Sequence, residues 1–90
     1  MVKRERLGII FDILNIIKEN KNSIRATPLL RYSNLSSQRF FEYLSELLEK
    51  NFIIEIENKS GVKYYSLSDK GLRFLENYQA ITGFIEEFDL

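Results

Sequence analysis

Cysteine and histidine are both missing from this sequence. Without cysteine there can be no disulfide, thiolate metal site or thiol nucleophile. Without histidine the chain lacks the commonest metal ligand and the commonest general base near neutral pH. No Gly-rich phosphate loop and no serine with a partnering base take their place. Glu86, Glu87 and Asp89 cluster near the end but have no such companions, and acids at a C-terminus are usually solvated. The expectation is a non-enzymatic protein with no cofactor, no metal and no evident small-molecule ligand. Long apolar runs are missing too. None approaches the roughly 20 residues of a membrane span. The opening MVKRER followed by LGIIFDILNII has the outline of a signal peptide. Asp12 and Asn15 interrupt it and no small-residue cleavage site follows, so the sequence points to a cytoplasmic chain with no membrane partner.

What is present suits one small globular domain, whose thin stability margin makes a partner chain a natural supplement. Net charge is zero over 90 residues, but it is unevenly spread. Residues 1–41 hold eight Lys/Arg against three acids, and residues 42–90 hold five against ten. The first half is suited to an anionic partner; scatter among surface charges is the plainer alternative.

Hydrophobic periodicity supplies the order of elements. Residues 4–19 read as a helix whose only polar stripe is Gly8, Asp12, Asn15 and Glu19. So narrow a stripe implies burial on two sides. A polar loop, KENKNS, follows at 18–23. Thr27-Pro28 is a helix start, with Thr27 as cap and Pro28 in the first helical position. Ser33-Asn34 breaks that short helix. Ser36 or Ser37 caps the next, with Phe40, Leu44, Leu47 and Leu48 as its buried face and Asn51 in a left-handed end. Two alternating runs, 52–57 and 62–67, flank the turn cluster Asn58–Gly61 and read as a β-hairpin, with Ile54 and Ile56 on one face. Ser68 or Asp69 caps a final helix running to Phe88, about 30 Å at ~1.5 Å per residue.

A short helix, a turn, a longer helix and a hairpin form a helix-turn-helix with a wing. The fold class expected is α+β, mainly α: a winged helix-turn-helix with a long C-terminal dimerisation helix. The winged-helix domain would occupy 1–76, and 77–90 would extend the last helix.

The stretches TPLLRYSNLSSQRFFEYLSELLEKNFI (27–53) and YYSLSDKGLRFLENY (64–78) carry a resemblance. SNLS, YLSELLEKNFI and the pattern Y-x-L-S-x-K-G-x-x-F-L are its most specific parts. The chain resembles, over nearly its whole length, the archaeal winged-helix DNA-binding family, which includes the ten-kilodalton winged-helix chromatin protein of Sulfolobus. The resemblance implies a homodimer, joined by the C-terminal helix, that binds double-stranded DNA. Family members usually carry Gly where this chain has Asn51, and the chromatin members are basic where this chain is neutral. The neutrality favours a sequence-preferring, nucleoid-associated transcriptional regulator over an abundant coat of the genome.

Candidate contacts follow from chemistry. A recognition helix presents its N-terminal residues to base edges in the major groove. Here that face is Ser36, Ser37, Gln38, Phe41, Glu42 and Ser45, with Arg39 beside it. Gln38 suits adenine, Glu42 accepts from cytosine, and Phe41 meets a thymine methyl. Lys21, Arg25, Arg31 and the helix start at Thr27 suit phosphate. Lys59 and Lys63 are the wing's candidates, opposed by Glu55 and Glu57, and Lys3, Arg4 and Arg6 form a basic start. A solvated helix face is the plainer reading of the same polar residues. In the last helix Leu72 and Leu75 close the domain, while Phe74, Tyr78, Ile81, Ile85 and Phe88 recur at 4, 3, 4 and 3 as a heptad seam for a second copy. The alternative for that seam is a tail folded back on the first helix. The alternative function is a protein–protein interaction module that binds through the helix carrying Phe41, without DNA.

Overall fold

The computed structural model describes residues 5–89; the expected basic start at Lys3 and Arg4 lies outside them. The chain runs α1 (Arg6–Glu19), α2 (Ala26–Ser33), α3 (Ser37–Glu49), β1 (Ile53–Glu57), β2 (Lys63–Leu67) and α4 (Asp69–Glu87). The strands pair antiparallel, Ile53 with Leu67 through Glu57 with Lys63. This is the expected winged helix-turn-helix architecture, mainly helical, in the expected order.

The core gathers Ile9, Ile10, Ile13, Leu14 and Ile17 of α1 with Leu29, Phe40, Leu44, Leu47, Ile53, Tyr65, Leu67 and Leu75. Helix α1 packs on α2, β2 and α4 together, which is why its apolar residues leave so narrow a polar stripe. The cover on its second side comes from aromatic rings. Phe11 stacks on Tyr78 with centroids 4.8 Å apart, Tyr78 on Phe74 at 5.8 Å, and Phe74 meets Phe52 edge-on at 5.7 Å.

Local chemistry sets the joints. Asn34 takes a left-handed backbone and ends α2; Asn51 does the same after α3, with φ of 63°. Asn51 N–H donates to the Leu48 carbonyl and Phe52 N–H to the Leu47 carbonyl, the paired closure of a Schellman end. In the wing, the Asn58 side chain accepts from the N–H groups of Ser60 and Val62, and Gly61 supplies φ of 81°. Ser36 caps α3 and Ser68 caps α4.

One expectation needs correction, and another gains detail. Helix α2 begins at Ala26, its N-cap is Arg25, and Thr27 makes no capping bond. The Arg25 carbonyl accepts from Leu29 N–H, so Pro28 sits third in the helix. Its missing N–H belongs to the first turn, where no intrahelical acceptor exists, so the later position costs nothing more. The loop after α1 is also more than polar linker. Lys21 and Asn22 both take positive φ. Ile24, buried, then forms an isolated bridge to Tyr65, and Asn22 Oδ1 accepts from Leu67 N–H at 2.7 Å. The loop thus supplies the outer neighbour of β2.

The motif Ser68-Asp69-Lys70-Gly71 locks α4 to the corner between α3 and β1. Ser68 N–H and Ser68 Oγ both donate to the Phe52 carbonyl, at 3.1 and 3.0 Å. Ser68 Oγ also reaches the Asn51 carbonyl at 2.6 Å and accepts from Gly71 N–H. Lys70 Nζ donates to the last carbonyl of the α3 corner, that of Lys50, at 2.8 Å and lies 4.6 Å from the Phe52 ring centroid. Gly71 is buried against this corner: a β-carbon there would stand 2.2 Å from the Phe52 carbonyl oxygen.

Candidate nucleic-acid interface

Helix α3 divides cleanly. Phe40, Leu44 and Leu47 are buried, while Ser37, Gln38, Phe41, Glu42 and Ser45 are exposed on the other side. The division follows the 3.6-residue period, and the Ser36 hydroxyl, accepting from Arg39 N–H at 3.2 Å, fixes where the row starts. Phe41 is 49% exposed and meets buried Phe40 edge-on, centroids 5.1 Å apart.

Arg39 stands beside the row in a cleft of about 190 Å³ that it shares with Arg6, Glu42, Tyr43 and Glu46. Arg6, at the start of α1, pairs with Glu46 and lies 6.0 Å from the Tyr43 ring centroid. Lys50 reaches Glu46 at 2.6 Å. Hydrogen bonds from Arg6 and then Lys50 hold the Glu46 carboxyl down at about 2. The negative charge on this flank of α3 is thereby offset by two cations. The sequence reading did not find this cluster; Glu46 and Lys50 at i, i+4 were its visible half, and Arg6 is 40 residues away from Glu46.

The remaining candidate cations occupy three places. Arg25 and Thr27 are exposed at the start of α2, and Arg31, also exposed, lies 5.5 Å from the Tyr32 ring centroid. Lys59 is exposed at the wing tip. Lys63 is partly engaged: its Nζ is 3.5 Å from Glu55 Oε1, and Glu55 also accepts from Tyr65 Oη. Burial of Tyr65 and the neighbouring Glu55 push that phenol upward. The wing face carrying Ile54 and Ile56 points to solvent, while Ile53 turns into the core.

At the far end, Phe74 and Tyr78 of the expected seam are half-buried in the aromatic row already described. Ile81, Ile85 and Phe88 are 58%, 38% and 58% exposed, joined by Phe84 at 56%. Phe84 was missed because the seam was traced at heptad positions alone; 81, 84, 85 and 88 are i, i+3, i+4 and i+7, the wider stripe of a helix packing on a surface. Among the described residues no group of histidine, cysteine or carboxylate side chains is placed to hold a metal, and no helix is long and apolar enough to cross a membrane.

A profile of the winged helix-turn-helix family matches residues 3–86, and the chain belongs to that family. The uncharacterised protein MJ0290 of Methanocaldococcus jannaschii is 32% identical over 80 residues. Those residues are 89% of this chain and 35% of that protein, so the chain spans about a third of its length. Among solved structures, the DNA-binding protein Sso10a-2 of Sulfolobus solfataricus superposes with a TM-score of 0.76 at 18% identity, over 94% of this chain and 85% of its own. The PcaV transcriptional regulator of Streptomyces coelicolor gives 0.76 at 14%, over 90% and 60%. F93 from STIV, a winged-helix DNA-binding protein, gives 0.73 at 19%, over 89% and 91%. At these identities the structural likeness is one of fold.

Proposed function

We propose that the chain binds double-stranded DNA with sequence preference, as a homodimer, and acts as a transcriptional regulator without catalytic activity. The observation that carries the reading is the α3 surface: an exposed row of hydrogen-bonding side chains, Ser37, Gln38, Glu42 and Ser45, with Arg39 beside it. Base edges are read by such groups, and phosphates by the cations around them. Arg25, Arg31, Arg39 and Lys59 take the phosphate role; Lys63, tied to Glu55, contributes less. Described relatives of the same fold are DNA-binding proteins and a transcriptional regulator, which agrees with this use. Residues 1–76 form the reading domain and 77–90 the dimerisation extension, where Ile81, Phe84, Ile85 and Phe88 form an exposed apolar stripe that a second copy would cover. The regulator would work in the cytoplasm, at the nucleoid.

The test is duplex binding by fluorescence anisotropy across a salt series. About eight phosphate contacts in a dimer, four from each copy, predict affinity falling roughly 10⁴-fold between 50 and 200 mM salt. Arg31→Ala with Arg39→Ala should abolish most of that binding. A folded protein with no duplex affinity at low salt refutes the reading. One observation favours a second use: half-exposed Phe41 stands beside exposed Glu42, an apolar and acidic pairing that suits a protein partner. Partner capture that survives the double arginine substitution, with no duplex effect, selects that alternative.

A further inference from the structure

We infer that Phe41 reads the 5-methyl group of thymine, so that the chain selects half-sites containing A·T pairs; this deepens, and rests on, the duplex-binding reading above. Besides Arg39 at its edge, the exposed row of α3 holds four hydrogen-bonding residues and one aromatic ring. With Arg39 left to the phosphates, what the row itself offers is hydrogen bonds and one apolar contact. The major-groove edges of the bases match that inventory: donors, acceptors, and a single kind of apolar group, the thymine methyl.

The ring is placed for such a contact. Phe41 sits in the middle of the row, half exposed, and its packing against Phe40 (centroids 5.1 Å apart, planes at 75°) gives it a fixed platform, because Phe40 is fully buried. Gln38 lies one helical turn before it. Side chains so spaced have β-carbons ~5–6 Å apart, which is between one and two base-pair steps of ~3.4 Å. Gln38 therefore reaches adenine N6 and N7 within two steps of the methyl that Phe41 covers. Glu42, next to Phe41, is repelled by phosphate, which disfavours a pose in which the ring slides out to the backbone.

The experiment begins with selection of the tightest binder from random-sequence duplexes. That duplex is then resynthesised with deoxyuridine for every thymidine, which removes the methyls and keeps the pairing. Burial of a methyl is worth about fourfold in affinity, the equivalent of ~0.8 kcal/mol. Wild type should bind the uracil duplex about fourfold more weakly per half-site. Phe41→Ala should bind both duplexes equally, at the weaker level, and Phe41→Leu should retain most of the preference. Far-ultraviolet circular dichroism and the urea midpoint confirm that the variants fold, as expected for an exposed position. Equal affinity of wild type for the two duplexes overturns the proposal. So does a uracil penalty of the same size in Phe41→Ala, which would assign it to duplex shape, or selected half-sites without A·T pairs. Absence of any duplex binding at low salt is a separate result: it removes the DNA-binding reading itself, and the methyl contact with it.

Discussion

Alanine in place of Gly71 tests the corner on which α4 is mounted. The added β-carbon would lie 2.2 Å from the Phe52 carbonyl oxygen and 3.3 Å from its carbon, and backbone cannot swing aside as a side chain can. Relief requires the start of α4 to lift by about 1 Å, on the scale of an ordinary contact. Overpacking of this sort costs ~1–3 kcal/mol. The lift also stretches the bonds from Ser68 N–H and Ser68 Oγ to the same carbonyl, worth about 1 kcal/mol each. Against this, alanine is favoured over glycine inside a helix by about 1 kcal/mol. The balance is a loss of about 2–4 kcal/mol, which for a chain of this length lowers Tm by roughly 10–30 °C. Gly83 is the control. A β-carbon there meets nothing within 4 Å, so the same substitution should leave the midpoint unchanged or raise it, by at most about 1 kcal/mol. Urea unfolding followed by circular dichroism reads both, at one fixed protein concentration, since the midpoint of the proposed dimer would depend on it. If Gly71→Ala unfolds at or above the parental midpoint with an unchanged slope, the corner does not hold α4 as described.

Three further outcomes are expected. Ser68→Ala removes a cap and the hydroxyl bonds to the Asn51 and Phe52 carbonyls, and should cost about 1–2 kcal/mol by urea unfolding; a loss below a few tenths would contradict the role given to the motif. The Glu46 carboxyl is depressed to about 2 by Arg6 and Lys50, so its ion pairs stabilise the fold above its ordinary value near 4.5 and are lost as pH falls toward 2. Glu46→Gln should therefore flatten the stability profile between those limits and do so modestly, since Arg6 and Lys50 are half exposed; an unchanged acid limb would remove the pair from the account. Truncation after Asn77 should give a monomer by sedimentation, and a less stable one because Tyr78 leaves the stack with Phe11 and Phe74; a truncated chain that still sediments as a dimer would exclude the tail as the interface.

Local chemistry makes the helix-turn-helix and wing legible in the sequence. Asn34 and Asn51 take the left-handed ends that short polar side chains tolerate, Ser36 and Ser68 cap, and Asn58 with Gly61 closes the hairpin. The exposed row of α3 was legible too, because the buried set at 40, 44 and 47 leaves it no other side to occupy. Thr27 misled because a threonine before a proline has the pattern of a cap at either register; α2 instead starts at Ala26, with Arg25 as its N-cap.

The sequence by itself determined the order of elements, the buried face of each helix and the chemistry available to a partner. Those properties depend on residues three or four apart, whose relation a helix or strand fixes at once. Tertiary structure alone decided which chain segments meet. It placed Arg6 beside Glu46 across 40 positions, brought Ile24 to the edge of β2, and set Phe52, Phe74, Tyr78 and Phe11 in one row. Periodicity told that Phe74 and Tyr78 shared a stripe with Ile81 and Ile85, but not that the first pair would be covered by α1 and the corner while the second pair stayed in solvent. The burial of an apolar stripe is a sum over all surfaces within reach, and that sum exists only once the chain has folded.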